Sequence, residues 1–200
     1  MSIRQLFGFL IAGLFILLVV SIYNNRVINT TVLLQAGHEG RTKGNTGSIN
    51  GDKKEVDWNI LVTKAIEKEL KRHNIHVTRV GADIPIANAR IAISIHFDGT
   101  DTPCATGASI GYDSTHINAK KMATRWKEEY KEYFPFKWHR DNFTKNLSDY
   151  YGFRRVNTEK GFLLLELGEM TCDKQIEWLE PRLELIATKI ADFIMDELER

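Results

Sequence analysis

Three short apolar runs constrain this chain more than any other feature: Thr31–Gln35 (TVLLQ), Arg90–Ile95 (RIAISI) and Phe162–Glu166 (FLLLE). Each is too short for a buried helix and apolar without alternation, so each reads as a fully buried strand. Ile75–Val80 reads as a further strand, and Gly107–Tyr112 and Tyr151–Val156 are candidates for two more. Between the strands, apolar residues recur at helical spacing. In Glu55–Arg72 they are Trp58, Leu61, Val62, Ala65, Ile66 and Leu70; in Ile117–Tyr133 they are Ala119, Met122, Ala123 and Trp126. A last helix carries Leu179, Leu183, Ile186, Ile190, Phe193, Ile194 and Leu198, with Pro181 near its start, where proline is tolerated. Arg41–Lys54, rich in Gly, Asn, Lys and Ser, reads as a loop. Strands alternating with helices specify an α/β fold: a single three-layer domain with a mostly parallel (mixed) sheet flanked by helices.

The N-terminus is different in kind. Residues 1–25 contain one charged side chain, Arg4, and Leu6–Ile22 is continuously apolar or small apart from Ser21. As a helix this run spans ~26 Å, close to the thickness of a bilayer core. It is long for a signal peptide, and its best cleavage site, Val19-Val20-Ser21, is poor. The segment therefore reads as an N-terminal hydrophobic helix that anchors the chain in a membrane, with a cleaved signal peptide as the alternative. Residues 26–30 form a linker and residues 31–200 the folded domain. Across the whole chain, 27 basic and 26 acidic residues leave a formal charge of +1. That balance argues against a nucleic-acid binder. Two cysteines, Cys104 and Cys172, are too few for a disulfide framework or a four-cysteine zinc module. They could pair in an oxidising compartment or stay apart.

In parallel sheets, functional groups gather beyond the carboxyl ends of the strands. Three polar clusters follow predicted strands directly: Gly37-His38-Glu39-Gly40, His96-Phe97-Asp98 and Glu166-Leu167-Gly168-Glu169. Glycines around His38 allow a ligand to approach the backbone closely, the alternative being a histidine that caps a turn. Glu55 falls within the apolar stripe of its helix, so its carboxylate needs a partner or a metal. The local alternative is a capping box, with Asp52 as N-cap and Glu55 at the third position. His96 emerges from a buried strand, as a ligand or as a satisfied core histidine. Glu166, after four apolar residues, is poorly solvated; the raised pKa that follows suits a general base. Glu169 is its rival and reads as the start of an exposed segment. Two histidines and one glutamate make a catalytic zinc set with an open position. His73, His76, His116 and His139 read as surface or satisfied residues.

Taken together, VLLQAGHEG (Val32–Gly40), Glu55, VTR (Val77–Arg79), Ala87-Asn88, SIHFD (Ser94–Asp98) and LLLELGEM (Leu163–Met170) resemble the zinc-dependent N-acetylmuramoyl-L-alanine amidases of the Amidase_3 type. The resemblance covers roughly residues 30–198. It implies one Zn2+ held by His38, Glu55 and His96, and Glu166 as the catalytic glutamate. The implied reaction cleaves the amide between N-acetylmuramic acid and L-alanine in peptidoglycan, on the periplasmic or outer side of a membrane. Arg154 and Arg155, on or near a predicted strand close to Glu166, are then candidates for binding stem-peptide carboxylates, with exposed strand-edge arginines as the alternative. Phe134, Phe136 and Trp138 are either core or the lip of a glycan groove. Gln35, Glu39, Asp98 and Glu169 depart from the family pattern. Those departures leave room for a wall-binding module without turnover. A phage lysis amidase with a releasable anchor is a further alternative, and a regulatory protein is left open.

Overall fold

A computed structural model of the chain describes residues 27–200, with Phe9, Leu14 and Phe15 before them. The anchor or signal segment expected at residues 1–25 therefore falls, those three positions aside, outside the described residues. Among the described residues no helix is long and apolar enough to cross a membrane.

The domain is built on a five-stranded mixed sheet. Its strands are β1 (Ile28–Ala36), β4 (Val77–Val80), β5 (Ala87–Asp98), β6 (Ser109–Tyr112) and β7 (Val156–Glu169). Their spatial order is β4-β1-β5-β7-β6, parallel throughout except for the antiparallel edge strand β6. A two-stranded hairpin, β2 (Ile49–Asn50) and β3 (Lys53–Lys54), interrupts the segment expected to be a loop. The helices are α1 (Glu55–Arg72), α2 (Ile117–Tyr133), the short α3 (Lys145–Ser148), α4 (Asp173–Leu179) and α5 (Leu183–Glu199).

The strand pleat sends alternate residues to opposite faces. On one face Val32, Leu34, Ile91, Ile93, Ile95, Leu163 and Leu165 join the main core. There they meet Val62 and Ile66 of α1, Trp126 of α2 and Ile190 of α5. On the other face Leu33, Ala92, Phe162 and Leu164 form a smaller cluster with Ile84, Leu147 and Tyr150. The three long helices thus share one face, and the opposite layer consists of short elements and loops. Crossover handedness accounts for two of these placements: the steps from β1 to β4 and from β4 to β5 run in opposite directions across the sheet, so α1 and the β4–β5 connection lie on opposite faces. Neither α2, which follows the antiparallel edge strand β6, nor α5, which follows β7, is fixed by that rule.

Several boundaries differ from the sequence expectation. Ile28–Thr30, read as linker, pair with Ala87–Ala89 and belong to β1. Tyr151–Val156 is not a strand: Tyr151–Arg154 is a 3-10 turn, and pairing begins at Val156. Aromatic packing competes with the ladder here, because Tyr150 and Phe153 turn their rings onto Phe162. The last helix is divided by the 3-10 turn Glu180–Arg182, which contains Pro181.

Cys104 and Cys172 form a disulfide across 68 residues of chain. It ties the loop after β5 to the segment after β7. Reducing this bond, or replacing both cysteines by serine, is expected to lower stability by about 2–4 kcal/mol. Urea denaturation with and without reductant measures this; coincident midpoints would contradict it.

Candidate metal centre

The carboxyl ends of β1, β5 and β7 lie side by side at one edge of the sheet. His38 follows β1, while His96 and Glu166 lie within β5 and β7 as register partners. Gln35, Ser94, His96 and Glu166 alternate with the helix-facing residues, so they project onto the thinly covered face. Glu55 enters from the first turn of α1. The capping box does not form: Lys54 is the N-cap, no side chain caps the helix, and Asp52 is exposed. Instead, the Glu55 N–H donates to Ser48 O at 2.9 Å, and the Ser48 N–H donates to Glu55 Oε2 at 2.8 Å. This exchange turns the carboxylate inward.

His38, Glu55 and His96 are all buried, and each offers a ligand atom within 4.8 Å of the others. Glu55 Oε1 lies 3.1 Å from His38 Nε2 and 3.1 Å from His96 Nδ1. His38 Nδ1 lies 3.0 Å from Asn45 O. That contact favours a proton on Nδ1 and leaves Nε2 facing the carboxylate. Asn59, one helical turn after Glu55, donates to Glu55 Oε1 at 3.2 Å and to Gly37 O at 3.0 Å. Gly37 is needed for a steric reason: a Cβ there would lie 2.3 Å from His96 Cε1. His38 itself adopts a left-handed backbone (φ 64°), a conformation that non-glycine residues rarely take outside special sites.

Electrostatics prepare Glu55 and His96 as donors. Burial opposes charge on Glu55, yet hydrogen bonds with His38 and His96 hold its carboxyl well below the usual range. Burial lowers the pKa of His96. For His38, burial also acts downward, but contact with Glu55 prevails and raises it. An ionised carboxylate and neutral imidazoles are the forms that bind a metal. His96 Nε2 is buried without a hydrogen-bond partner among the described residues. Such an orphan costs about 1–3 kcal/mol, and a cation accepting its lone pair would satisfy it. Two imidazoles and one carboxylate fit a zinc ion with an open position.

The group opens into a cleft of about 600 Å³, whose walls include Glu166, Asp98, Leu147 and Tyr150. Glu166 Oε2 is likewise unpartnered among the described residues. Burial, reinforced by the charges of Glu55 and Asp98, pushes the Glu166 carboxyl well above the ordinary carboxylate range.

Other residues singled out in the sequence lie elsewhere. Arg154 pairs with Asp149, and Arg155 Nε donates to Ile84 O at 2.9 Å. Both precede β7, at its opposite end from Glu166, and neither lines the cleft. Glu39 pairs with Arg79. Glu169, expected on an exposed segment, is fully buried and accepts hydrogen bonds from Cys104 N, Thr106 N and the Thr171 hydroxyl, each at 2.7 Å. Burial opposes its ionisation, but these bonds prevail and lower its pKa. Phe134 is buried against Tyr130 and Trp178, and none of Phe134, Phe136 and Trp138 lines the cleft. Residues not foreseen are Asn59, Tyr150 and Arg41. Asn59 left a trace in the sequence, being polar and four residues after a buried carboxylate.

The sequence profile of the Amidase_3 family, described as N-acetylmuramoyl-L-alanine amidase, matches residues 32–196. No curated protein sequence matches the chain. Among solved structures, Cwp6 from Clostridium difficile superposes with a TM-score of 0.66 and 20% identity, covering 84% of this chain and 29% of Cwp6. The CwlD amidase from Clostridioides difficile, solved in complex with the GerS lipoprotein, gives 0.66 at 19% identity over 86% of this chain and 99% of that one. The amidase AmiC2 of Nostoc punctiforme gives 0.62 at 20% identity over 86% and 98%. These structures share the fold. The profile match spans most of the length and every residue of the cluster, and the chain belongs to the Amidase_3 family of N-acetylmuramoyl-L-alanine amidases.

Proposed function

We propose that this amidase hydrolyses the amide between the lactyl group of N-acetylmuramic acid and L-alanine, with zinc held by His38, Glu55 and His96 and with Glu166 as general base. The observation that carries the reading is the convergence of those three donors within 4.8 Å, beside a desolvated carboxyl on the adjacent strand. When bound, zinc supplies Lewis acidity that polarises the scissile carbonyl and makes water a stronger acid. Glu166 takes the proton of the attacking water and returns it to the departing amine nitrogen as the C–N bond breaks. Its raised pKa suits both halves of that transfer, since a strongly acidic carboxyl would hold the proton too weakly to deliver it. Asn45 O orients His38, and Asn59 steadies Glu55. Leu147, Tyr150 and Phe143 wall the cleft.

The apolar run Leu6–Ile22 supports a membrane tether, with a signal peptide as the alternative. The Cys104–Cys172 disulfide supports an oxidising compartment, on the periplasmic or outer side where peptidoglycan lies.

Two outcomes test the assignment. Glu166→Gln is expected to retain zinc and to lose about 10²–10⁴-fold in stem-peptide release from purified peptidoglycan; undiminished release would remove Glu166 from the role of base. Gly37→Ala is expected to displace the His96 ring and weaken zinc binding about 10–100-fold. Competition with a chromogenic chelator measures it, and an unchanged affinity would show that the ring does not need that space.

A further inference from the structure

We infer that Arg41 is a specificity residue, pairing with a carboxylate on the stem-peptide residue that follows the cleaved L-alanine. The inference rests on the amidase reading and names the anionic substrate feature that its cleft selects.

Among the described residues lining the cleft, Glu55, Asp98, Asp149 and Glu166 are acidic, and Arg41 is the sole lysine or arginine. Asp149 is paired with Arg154 and Glu55 belongs to the metal donors, so Arg41 is the basic side chain of this wall that a substrate carboxylate can meet directly. Arg41 forms no ion pair among the described residues, unlike Arg79 or Arg154, whose guanidinium groups are bound to Glu39 and Asp149. Its Nη1 donates to Asn45 O at 3.1 Å and stands 3.4 Å from His38 Nδ1. That anchor fixes the group beside the metal ligand, while Nη2 and Nε have no partner among the described residues. A planar fork with unused donors matches a carboxylate. Two residues of extended chain span about 7 Å. A carboxylate one residue beyond the cleaved L-alanine therefore falls within reach of a group that is separated from the ligand cluster by one imidazole ring. Arg154 and Arg155, the arginines that the sequence suggested for this task, lie away from the cleft.

The test compares N-acetylmuramoyl-L-alanyl-γ-D-glutamyl-L-lysine, in which the glutamyl α-carboxylate is free and the γ-carboxyl is in peptide linkage, with the isoglutaminyl counterpart, in which that α-carboxyl alone is amidated. For the zinc-loaded wild type, kcat/KM is expected to favour the acid by about tenfold or more, as for a charge-assisted hydrogen bond. In Arg41→Gln the ratio is expected to collapse towards one, and Arg41→Lys to retain part of it. A purely structural role, through Asn45 and His38, would lower both substrates alike and leave the ratio intact; that result overturns the inference. Dissociation constants for both compounds, measured in Glu166→Gln and in Glu166→Gln/Arg41→Gln, separate this inference from the amidase reading. If neither compound is hydrolysed by the wild type but the acid binds more tightly through Arg41, the amidase reading fails and this inference stands. Equal affinities in the Glu166→Gln protein, or no binding of either compound, overturn it.

Discussion

The Glu55 carboxylate between two imidazoles is the interaction around which the rest is arranged. A carboxylate buried this deeply is costly unless hydrogen-bonded or paired. Here it lies 3.1 Å from a nitrogen of each histidine, and it takes further bonds from Ser48 N and Asn59. Each contact comes from a different part of the chain, so the cluster is complete only when β1, β5, the hairpin loop and α1 are all in place. The same burial that makes the donor set expensive to assemble without a cation makes it selective for one.

The layering explains why this cluster is accessible. The three long helices share one face of the sheet and leave the other to short elements. Because His96 and Glu166 alternate with core residues in β5 and β7, they fall on the thinly covered side. A strand register one residue different would bury both under α2 and α5. Tyr150, whose hydroxyl donates to Gln35 Oε1 at 2.7 Å, then serves as wall for the cleft and as roof for the smaller cluster.

Much of this was legible in the sequence because it depends on local pattern. Glu166 ends an unbroken apolar run, His38 and His96 follow largely apolar strands, and Glu55 interrupts an apolar stripe. Long-range geometry was not legible. Reading Tyr151–Val156 as a strand put Arg154 and Arg155 near Glu166, whereas β7 begins at Val156 and carries Glu166 to its far end. The same holds for Glu169. Its side chain is enclosed by donors from residues 100–106, brought there by a disulfide that spacing alone could not assign. Arg41 showed nothing distinctive, because being the one lysine or arginine among the described residues of a cleft is a property of its surroundings.

The Cys104–Cys172 bond has a further consequence for survival among proteases. His96 precedes Cys104 in the chain, and Glu166 lies between the two cysteines. A single peptide cut in the surface segment around residues 143–150 would divide the polypeptide, with the zinc donors on one fragment and the base on the other. The sulfur bridge would keep those fragments in one molecule, so a nicked enzyme could persist as an assembled one.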